Sequence, residues 1–502
     1  MSKFRGPLYA YVEYSTDTEL RRRAVEGILD SYHSNYDILS EVIQNAVDAV
    51  EDAKLEDLAG PYLIEVIINL TENWIGVLDT GIGMTPEQVA SAFAPHATFK
   101  VAGKSTTYTK RTSKNPYRGY KGVGLTFLAY GTDDVLIHSK KAGADPTKGR
   151  MQYGRAWAKG ERTETAYIVE DSSPSPLDKH LRGTYVQIQL STNTRPKSLN
   201  RITTSTNAWK AILRTKTAIG QILLDSDVVV PFKVKLRVIG SDKTTEEDVE
   251  ASFLYPHTVK RNPPFRFLDL VEHYKTHAEK SKPPRDKVRQ DGVFLIWDTE
   301  RLRKEFRERG SDYTEQFEAY SPVIYAFVPY NYKIWNDLNN LEAGTSTKTY
   351  LSPGQMLAVN HQRLADITEI KATRYEIFGK NVFAIVHFSN VRPDQGRKTI
   401  DASAEELATE ATNRVVQYLG EQQEFLRPPG DAPTAEQRDI ERNHDDWVYN
   451  VTTQAKQSPL HIPPVTYIST PQAEQDVVGL FHQLSALGVF PGIKIYMMYP
   501  EN

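Results

Sequence analysis

Apolar residues return along the chain in two rhythms, one every third or fourth residue and one every second, and the switches between them mark out the elements. A helix is expected over residues 17–32. In ILSEVIQNAVDAVEDAK, which begins at Ile38, the helical rhythm puts Ile38, Leu39, Val42, Ile43, Ala46, Val47 and Val50 on one side. Glu41, Asn45 and Asp48 form a narrow polar line at spacings of four and three. Taken by itself, that line is a solvated helix face. Gly60-Pro61 ends the helix. YLIEVIINL and NWIGVLD then run as two strands, with Thr71-Glu72-Asn73 as the hairpin turn between them.

DTGIGM, from Asp79 to Met84, is a turn leading into the helix TPEQVASAFA. Residues 99–121, FKVAGKSTTYTKRTSKNPYRGYK, carry seven Lys or Arg and no acid, and read as a mobile loop. The loop ends in the glycine-rich GYKGVGLTFLAYG, which opens a short helix, and the strand DVLIHSK follows. MQYGRAWAK, TAYIVED and GTYVQIQLS continue as strands, so the first domain (36–195) is expected to close near Thr194. A charged and polar helix, LNRITTSTNAWKAILRTKTAIGQILL, connects onward through 196–227. From Val228 the strands VVVPFKVKLRVIG, GVFLIWD, PVIYAFVPY, TYLSPGQMLAVN and NVFAIVHFS, with a helix over 404–418, predict a second α+β domain (228–425). RPPGDAPTAEQRD breaks the chain, and 426–502 read as a mostly helical module, notably PQAEQDVVGLFHQLSALG.

Composition narrows the class. A chain of 502 residues suits roughly two to four domains, and 39% apolar with 25% charged residues is the balance of a soluble globular protein. A net charge of -3 says little about partners, because a local basic patch still binds nucleic acid in a near-neutral chain. The absence of cysteine removes disulfides, thiol nucleophiles and cysteine-ligated zinc, and suits a reducing compartment. MSKFRGPLYAYVEYSTDTELRRR has no apolar run of signal-peptide length, and nothing downstream reaches the roughly 20 apolar residues of a membrane span, so a cytoplasmic location is expected.

Three elements carry candidate chemistry. Glu41, Asn45 and Asp48 are the first, and DTGIGM, which alone is a plain turn, is the second. The third is Gly119-Tyr-Lys-Gly-Val-Gly124. Its glycines let backbone N–H groups approach an anion, and a following helix N-terminus adds a favourable dipole. Its spacing fits neither the P-loop nor the dinucleotide fingerprint.

Order and spacing join the three. A helix with E-x-x-x-N-x-x-D-A, then D-x-G-x-G, then a loop ending in G-x-x-G-x-G, then a strand beginning Gly183-Thr184, resembles the GHKL ATPases. That superfamily includes gyrase-type topoisomerases, MutL, the MORC proteins, the ninety-kilodalton heat-shock chaperones and histidine kinases. The closest likeness is to MutL/MORC-like prokaryotic ATPases with a transducer domain. Pro95-His96-Ala97-Thr98-Phe99-Lys100 resembles the H-A-T-S-K stretch of MutL with Phe99 in place of serine, which leaves His96 and Lys100 without an assigned role.

The resemblance implies a Bergerat-fold α/β sandwich followed by a transducer-like α+β domain of the ribosomal-protein-S5 type. It implies ATP with Mg²⁺: Glu41 as the base that polarises the attacking water, Asn45 as the metal ligand, and Asp48 in support of the helix. Asp79 would accept from the adenine amino group, which a guanine carbonyl could not supply. Gly81 and Gly83 would turn beneath the base with Met84 against its face, and Thr184 would help to hold it. Gly119, Lys121, Gly122, Val123 and Gly124 would form the lid over the phosphates. Glu41 favours hydrolysis over the phosphotransfer of histidine kinases.

In the second domain, Pro393-Asp-Gln-Gly-Arg-Lys398 is a loop able to reach a cation to the γ-phosphate, Lys398 first and Arg397 second. The resemblance further implies a nucleotide-gated clamp that dimerises through residues 1–35. DNA would be its substrate, with a partner nuclease or other subunit in a restriction or antiphage setting. A protein-remodelling chaperone and a nucleotide-sensing scaffold are the alternatives.

Overall fold

Alternation in YLIEVIINL and NWIGVLD gives the central hairpin of the first sheet: β1 (Leu63–Asn69) and β2 (Trp74–Asp79) pair antiparallel, Ile64 opposite Asp79, and Asn73 turns the chain with φ at 61°. The computed structural model describes residues 18–422, with breaks chiefly at 96–99, 101–110, 112–116, 120–121, 225–231, 259–264, 279–291, 330–334 and 340–349. The chain divides into two units, Met1–Arg427 and Pro428–Asn502. Residues 1–17 of the expected strap and the whole expected module 426–502 lie outside the described residues.

The first sheet has eight strands in the order β5-β4-β3-β6-β2-β1-β7-β8. Besides the hairpin these are β3 (Asp134–Lys140), β4 (Thr147–Gln152), β5 (Ile168–Glu170), β6 (Gly183–Gln189), β7 (Lys233–Ile239) and β8 (Thr244–Val249). Helices α1 (Thr18–Leu29), α2 (Asp37–Leu55), α3 (Pro86–Ser91), α4 (Gly124–Gly131), α5 (Gly154–Ala158) and α6 (Thr206–Lys216) accompany it. The apolar side of α2, with Ile38, Val42, Ile43, Ala46 and Val50, shares one core with Ile64, Val66, Ile68, Ile75 and Val77 of the hairpin. Burial of that side fixes the rotation of α2, so its polar line faces whatever closes over the helix from the other direction.

Three expectations change here. β7 was expected to open the second domain; it pairs in parallel with β1, Val234 beside Ile64 and Leu236 beside Val66, and carries the first sheet beyond Thr194 to Val249. Val234, Leu236 and Val238 point into the same core, which is why the strand belongs there. The connecting helix is only Thr206–Lys216, because the Ser205 hydroxyl accepts from Ala208 N–H at its start. MQYGRAWAK is not one strand: Tyr153, with φ at 64°, ends β4 and starts α5.

The second sheet runs β13-β12-β14-β11-β10-β9. Its strands are β9 (Phe265–Arg266), β10 (Gly292–Trp297), β11 (Val323–Pro329), β12 (Gly354–Val359), β13 (Gln362–Arg363) and β14 (Phe383–Phe388). Every residue of β11 and β14 is buried, as the unbroken apolar runs VIYAFVP and FAIVHF require of central strands covered on both faces. The helix expected over 404–418 is α10 here for the long element at Ala402–Glu421; its Leu407, Ala411, Val415 and Leu419 pack on this sheet. Three shorter helices, α7 (Phe267–Ala278), α8 (Thr299–Glu308) and α9 (Thr314–Tyr320), precede it. The described residues thus form an α+β protein with two sheets, and none of their helices is long and apolar enough to cross a membrane.

Candidate functional site

A cavity of about 250 Å³ opens where α2, the end of β2, residues 118, 119 and 122–125, and the loop around Arg397 meet. It collects Glu41, Asn45, Asp79, Gly83, Met84, Gly119, Gly122, Val123, Gly124, Thr184 and Arg397 along its walls. The polar line of α2 is therefore buried under other parts of the chain: Glu41 is 6% exposed and Asp48 0%.

One end is apolar with a single acid. Val42, Ala46, Val77, Ile137, Val186 and Met84 supply hydrophobic walls, and Asp79 lies among them, opposite Thr184 across the β2–β6 ladder. Asp79 Oδ1 accepts from Gly81 N–H at 2.8 Å. Burial pushes its carboxyl up to about 7, against the pull of the Gly81 and Thr184 backbone and of Arg182. Gly83 has φ at +64°, and a Cβ there would stand 1.9 Å from Lys140 O, so only glycine lets the turn close against β3. Ser139, which sequence reasoning missed, organises this end: its hydroxyl meets Thr184 Oγ1 at 2.8 Å and accepts from Met84 N–H at 2.8 Å. The only sequence signal for it is its place on β3 at the cavity-facing rhythm after Ile137.

The other end is charged. Burial pushes the Glu41 carboxyl up to about 7; Arg397 opposes this and Asp37 adds to it, while the Tyr32 hydroxyl hydrogen-bonds the carboxylate. Gly124, the first residue of α4, lies against Glu41 so closely that a Cβ would be 2.2 Å from Oε2. Gly122 has φ at +70° on the way to it. Gln44, which the sequence analysis did not single out, also lines this end, at spacings of three from Glu41 and four from Asp48.

Asp48 does more than support its helix. It accepts from Lys100 Nζ at 2.7 Å, from Arg118 N–H at 3.2 Å and from Gly119 N–H at 3.1 Å, and so pins the root of the glycine segment to α2. Burial would raise its carboxyl, but Lys100, Arg118 and Arg111 outweigh that and hold it at about 2. The cluster continues one turn on. Arg111 pairs with Glu51 at 2.7 Å and with Asp52 at 2.6 Å, Arg118 pairs with Glu51 at 2.8 Å, and the Tyr117 hydroxyl donates to Asp52 at 3.1 Å. Lys100, left without a role by the sequence, also donates to Asn45 Oδ1 at 3.2 Å. Part of the expected mobile loop is in this way latched to α2; Lys121, His96 and Phe99 lie outside the described residues.

Of the two cations expected from the second sheet's domain, the cavity is reached by the second choice. Arg397, in a left-handed turn with φ at 55°, lines it and donates to Arg118 O at 2.6 Å. Burial lowers the Arg397 guanidinium below its ordinary value, opposed by Glu41. Lys398 is not among the cavity-lining residues; its N–H is turned back onto Asp394, and its charge bears on Asp37. Asn360 adds a second grip from this domain, donating to Tyr117 O at 3.1 Å.

The donor set can be tested for ATP and magnesium. An apolar slot ending in one acceptor carboxylate fits a purine carrying an amino group, and approachable glycines beside cations fit a triphosphate. Among the described residues no group of three His, Cys, Asp or Glu could hold a metal ion. A divalent ion at Asn45 would therefore have to share its coordination with the triphosphate, as Mg²⁺ commonly does.

No family model matches the chain. Curated proteins described as "Chaperone protein HtpG" do match at low identity. The chain is 29% identical over 140 residues to that of Buchnera aphidicola, covering 26% of this chain and 22% of the relative. It is 28% identical over 188 residues to that of Francisella tularensis subsp. novicida (36% and 28%), and 25% over 231 residues to that of Vibrio vulnificus (44% and 32%). The match thus spans less than a third of the length of each of these relatives. With the motif order and the cavity they line, these matches support kinship with the GHKL ATPases at the level of the superfamily.

Proposed function

We propose that this chain binds ATP with Mg²⁺ and hydrolyses it, closing residues 117–124 over the nucleotide as a gate. The observation that carries this is the convergence, in one cavity, of a buried acceptor carboxylate in an apolar slot (Asp79) with a buried base beside the glycine segment (Glu41). Asp79 accepts from the adenine amino group, with Gly81, Gly83, Met84 and Thr184 shaping the slot. Asn45 Oδ1, which now accepts from Lys100, would hold the metal. Gly119, Lys121, Gly122, Val123 and Gly124 cover the phosphates. The metal supplies charge neutralisation on the triphosphate when bound. Glu41, with a carboxyl near 7, takes up a proton from water in the neutral range where a carboxyl of ordinary pKa is a weaker base. Arg397 supplies the cation for the charge that develops on the γ-phosphate, in preference to Lys398.

The architecture that goes with this is a Bergerat-fold ATPase domain and a transducer-like second domain. The same superfamily resemblance supports ATP-dependent dimerisation through residues 1–35. For the substrate of the gate, the MutL/MORC likeness supports DNA with a partner nuclease or defence subunit, whereas the HtpG matches favour a second reading, protein remodelling. ATP turnover of the wild type and of Glu41→Ala, with and without long DNA and across a salt series, tests both layers. A DNA clamp gives DNA-stimulated turnover and binding that weakens steeply with salt. Turnover indifferent to DNA but stimulated by an unfolded protein selects remodelling, and turnover unchanged by Glu41→Ala contradicts hydrolysis at this site.

A further inference from the structure

The amide of Gln44 sits at the charged end of the cavity without its chemistry satisfied. Gln44 is 3% exposed, and its Oε1 is buried with no hydrogen-bond partner among the described residues. A buried amide oxygen left unpaired is costly, so such groups are retained where a ligand or ordered water completes them. A Cβ on Gly119 would be 2.4 Å from Gln44 Nε2, which places the amide directly beneath the root of the glycine segment, one residue before Asn45.

What could complete Oε1 is restricted. Phosphate oxygens accept and do not donate, so they cannot. The backbone N–H groups of Arg118 and Gly119 are already given to Asp48, and the Lys100 ammonium is held on Asp48 at 2.7 Å. Magnesium in such sites keeps several waters, and those waters are strong donors. We propose that Gln44 is a positioning residue for the metal: its Oε1 accepts from a water bound to the Mg²⁺ that Asn45 ligates, fixing the hydrated ion against α2. This rests on the ATP and Mg²⁺ reading of the cavity.

The test is calorimetric titration of the full chain with ATP at graded Mg²⁺ and in EDTA, together with thermal unfolding of the unliganded protein. Gln44→Met, similar in length but without the acceptor, is expected to raise the Mg²⁺ needed for half-maximal enhancement of ATP binding by about tenfold. ATP binding in EDTA is expected to stay within about twofold, and the melting temperature to hold or rise, because a buried unpaired acceptor has been removed. Gln44→Glu keeps an acceptor and is expected to restore the Mg²⁺ requirement to that of the wild type or below. An unchanged requirement in Gln44→Met overturns the proposal. So does an equal loss of binding in EDTA, which would mark Gln44 as a nucleotide contact, or a lowered melting temperature in both variants, which would mark the amide as part of the fold. Wild-type ATP binding that is absent, or indifferent to Mg²⁺, overturns the cavity's assignment and this inference with it. Mg²⁺-enhanced wild-type binding that Gln44→Met leaves untouched overturns this inference alone.

Discussion

Arg397 donates from the second sheet's domain to the backbone carbonyl of Arg118 at 2.6 Å, while the Arg118 guanidinium is held by Asp48 and Glu51 on α2. The root of the glycine segment is in this way gripped from both sides, and the same arginine that grips it lines the cavity beside Glu41. Arg397→Ala is expected to lower kcat by about 10²–10³, the range for removing one donor aimed at developing charge, with ATP affinity reduced far less. Lys398→Ala is expected to stay within about threefold, since a half-buried charge outside the cavity lining contributes little to the reacting atoms. Steady-state ATPase assays with calorimetric affinities check this, and a larger loss in Lys398→Ala than in Arg397→Ala would reverse the assignment.

Glu41 couples activity to stability. Its folded-state carboxyl is raised from 4.5 to about 7 by burial, so the folded protein holds a proton there that the unfolded chain releases. The stability this contributes is complete below about 4.5 and is lost as pH rises through 7. Glu41→Gln mimics the protonated form; it is expected to abolish turnover and yet stabilise the protein by up to about 3 kcal/mol at pH 8, with no gain at pH 4. Urea denaturation at the two pH values measures it. A variant destabilised at pH 8 would mean that the charged carboxylate is a stabilising partner in the fold.

Asp79 predicts base selectivity and its pH limit. Hydrogen bonds to charged groups contribute about 1.5–3 kcal/mol, so Asp79→Asn should weaken ATP binding by roughly 10- to 150-fold and narrow the preference for ATP over GTP. With the carboxyl at about 7, wild-type ATP affinity should decline as pH falls from 8 to 6, and the decline should be absent in the Asn variant. Calorimetric titrations with both nucleotides across that range decide it. Equal affinity of the wild type for ATP and GTP would remove Asp79 from base recognition.

The latch on α2 is testable without nucleotide. Arg111 has 4% of its side chain exposed and is bonded to both Glu51 and Asp52, so Arg111→Met leaves buried carboxylates short of a cation. Removing one partner of such a cluster costs about 3–5 kcal/mol. Arg111→Met is therefore expected to shift the denaturation midpoint downward strongly, with Asp52→Asn in the same chain recovering part of the loss. A shift no larger than that of an exposed arginine substitution would show that the latch contributes nothing to the fold.

What was legible in the sequence was local. The 3.6-residue rhythm of α2 placed Glu41, Asn45 and Asp48 on one line, and the order of DTGIGM, the glycine segment and Gly183-Thr184 pointed to one site; Glu41 and Asn45 line its cavity, and Asp48 pins the glycine segment behind it. Gln44 and Ser139 escaped because neither falls on a motif position, and outside one an uncharged polar side chain carries no signal until its neighbours are known. The pairing of Arg111 and Arg118 with Glu51 and Asp52 joins residues about sixty positions apart, and no periodicity within α2 announces it. Arg397 and Lys398 are adjacent cations in one loop; the left-handed turn at Arg397 decides which faces the cavity. The place of β7 beside β1 depends on a parallel pairing across the whole domain, which the strand's own alternation leaves open.

The most direct test is a crystal structure of the full chain with Mg²⁺ and a non-hydrolysable ATP analogue. The account predicts the adenine amino group on Asp79, the metal on Asn45 Oδ1 in place of the Lys100 ammonium, and the γ-phosphate between Glu41 and Arg397. A nucleotide bound elsewhere, or bound here with Asp79 and Glu41 making no contact to it or to its attacking water, would contradict it.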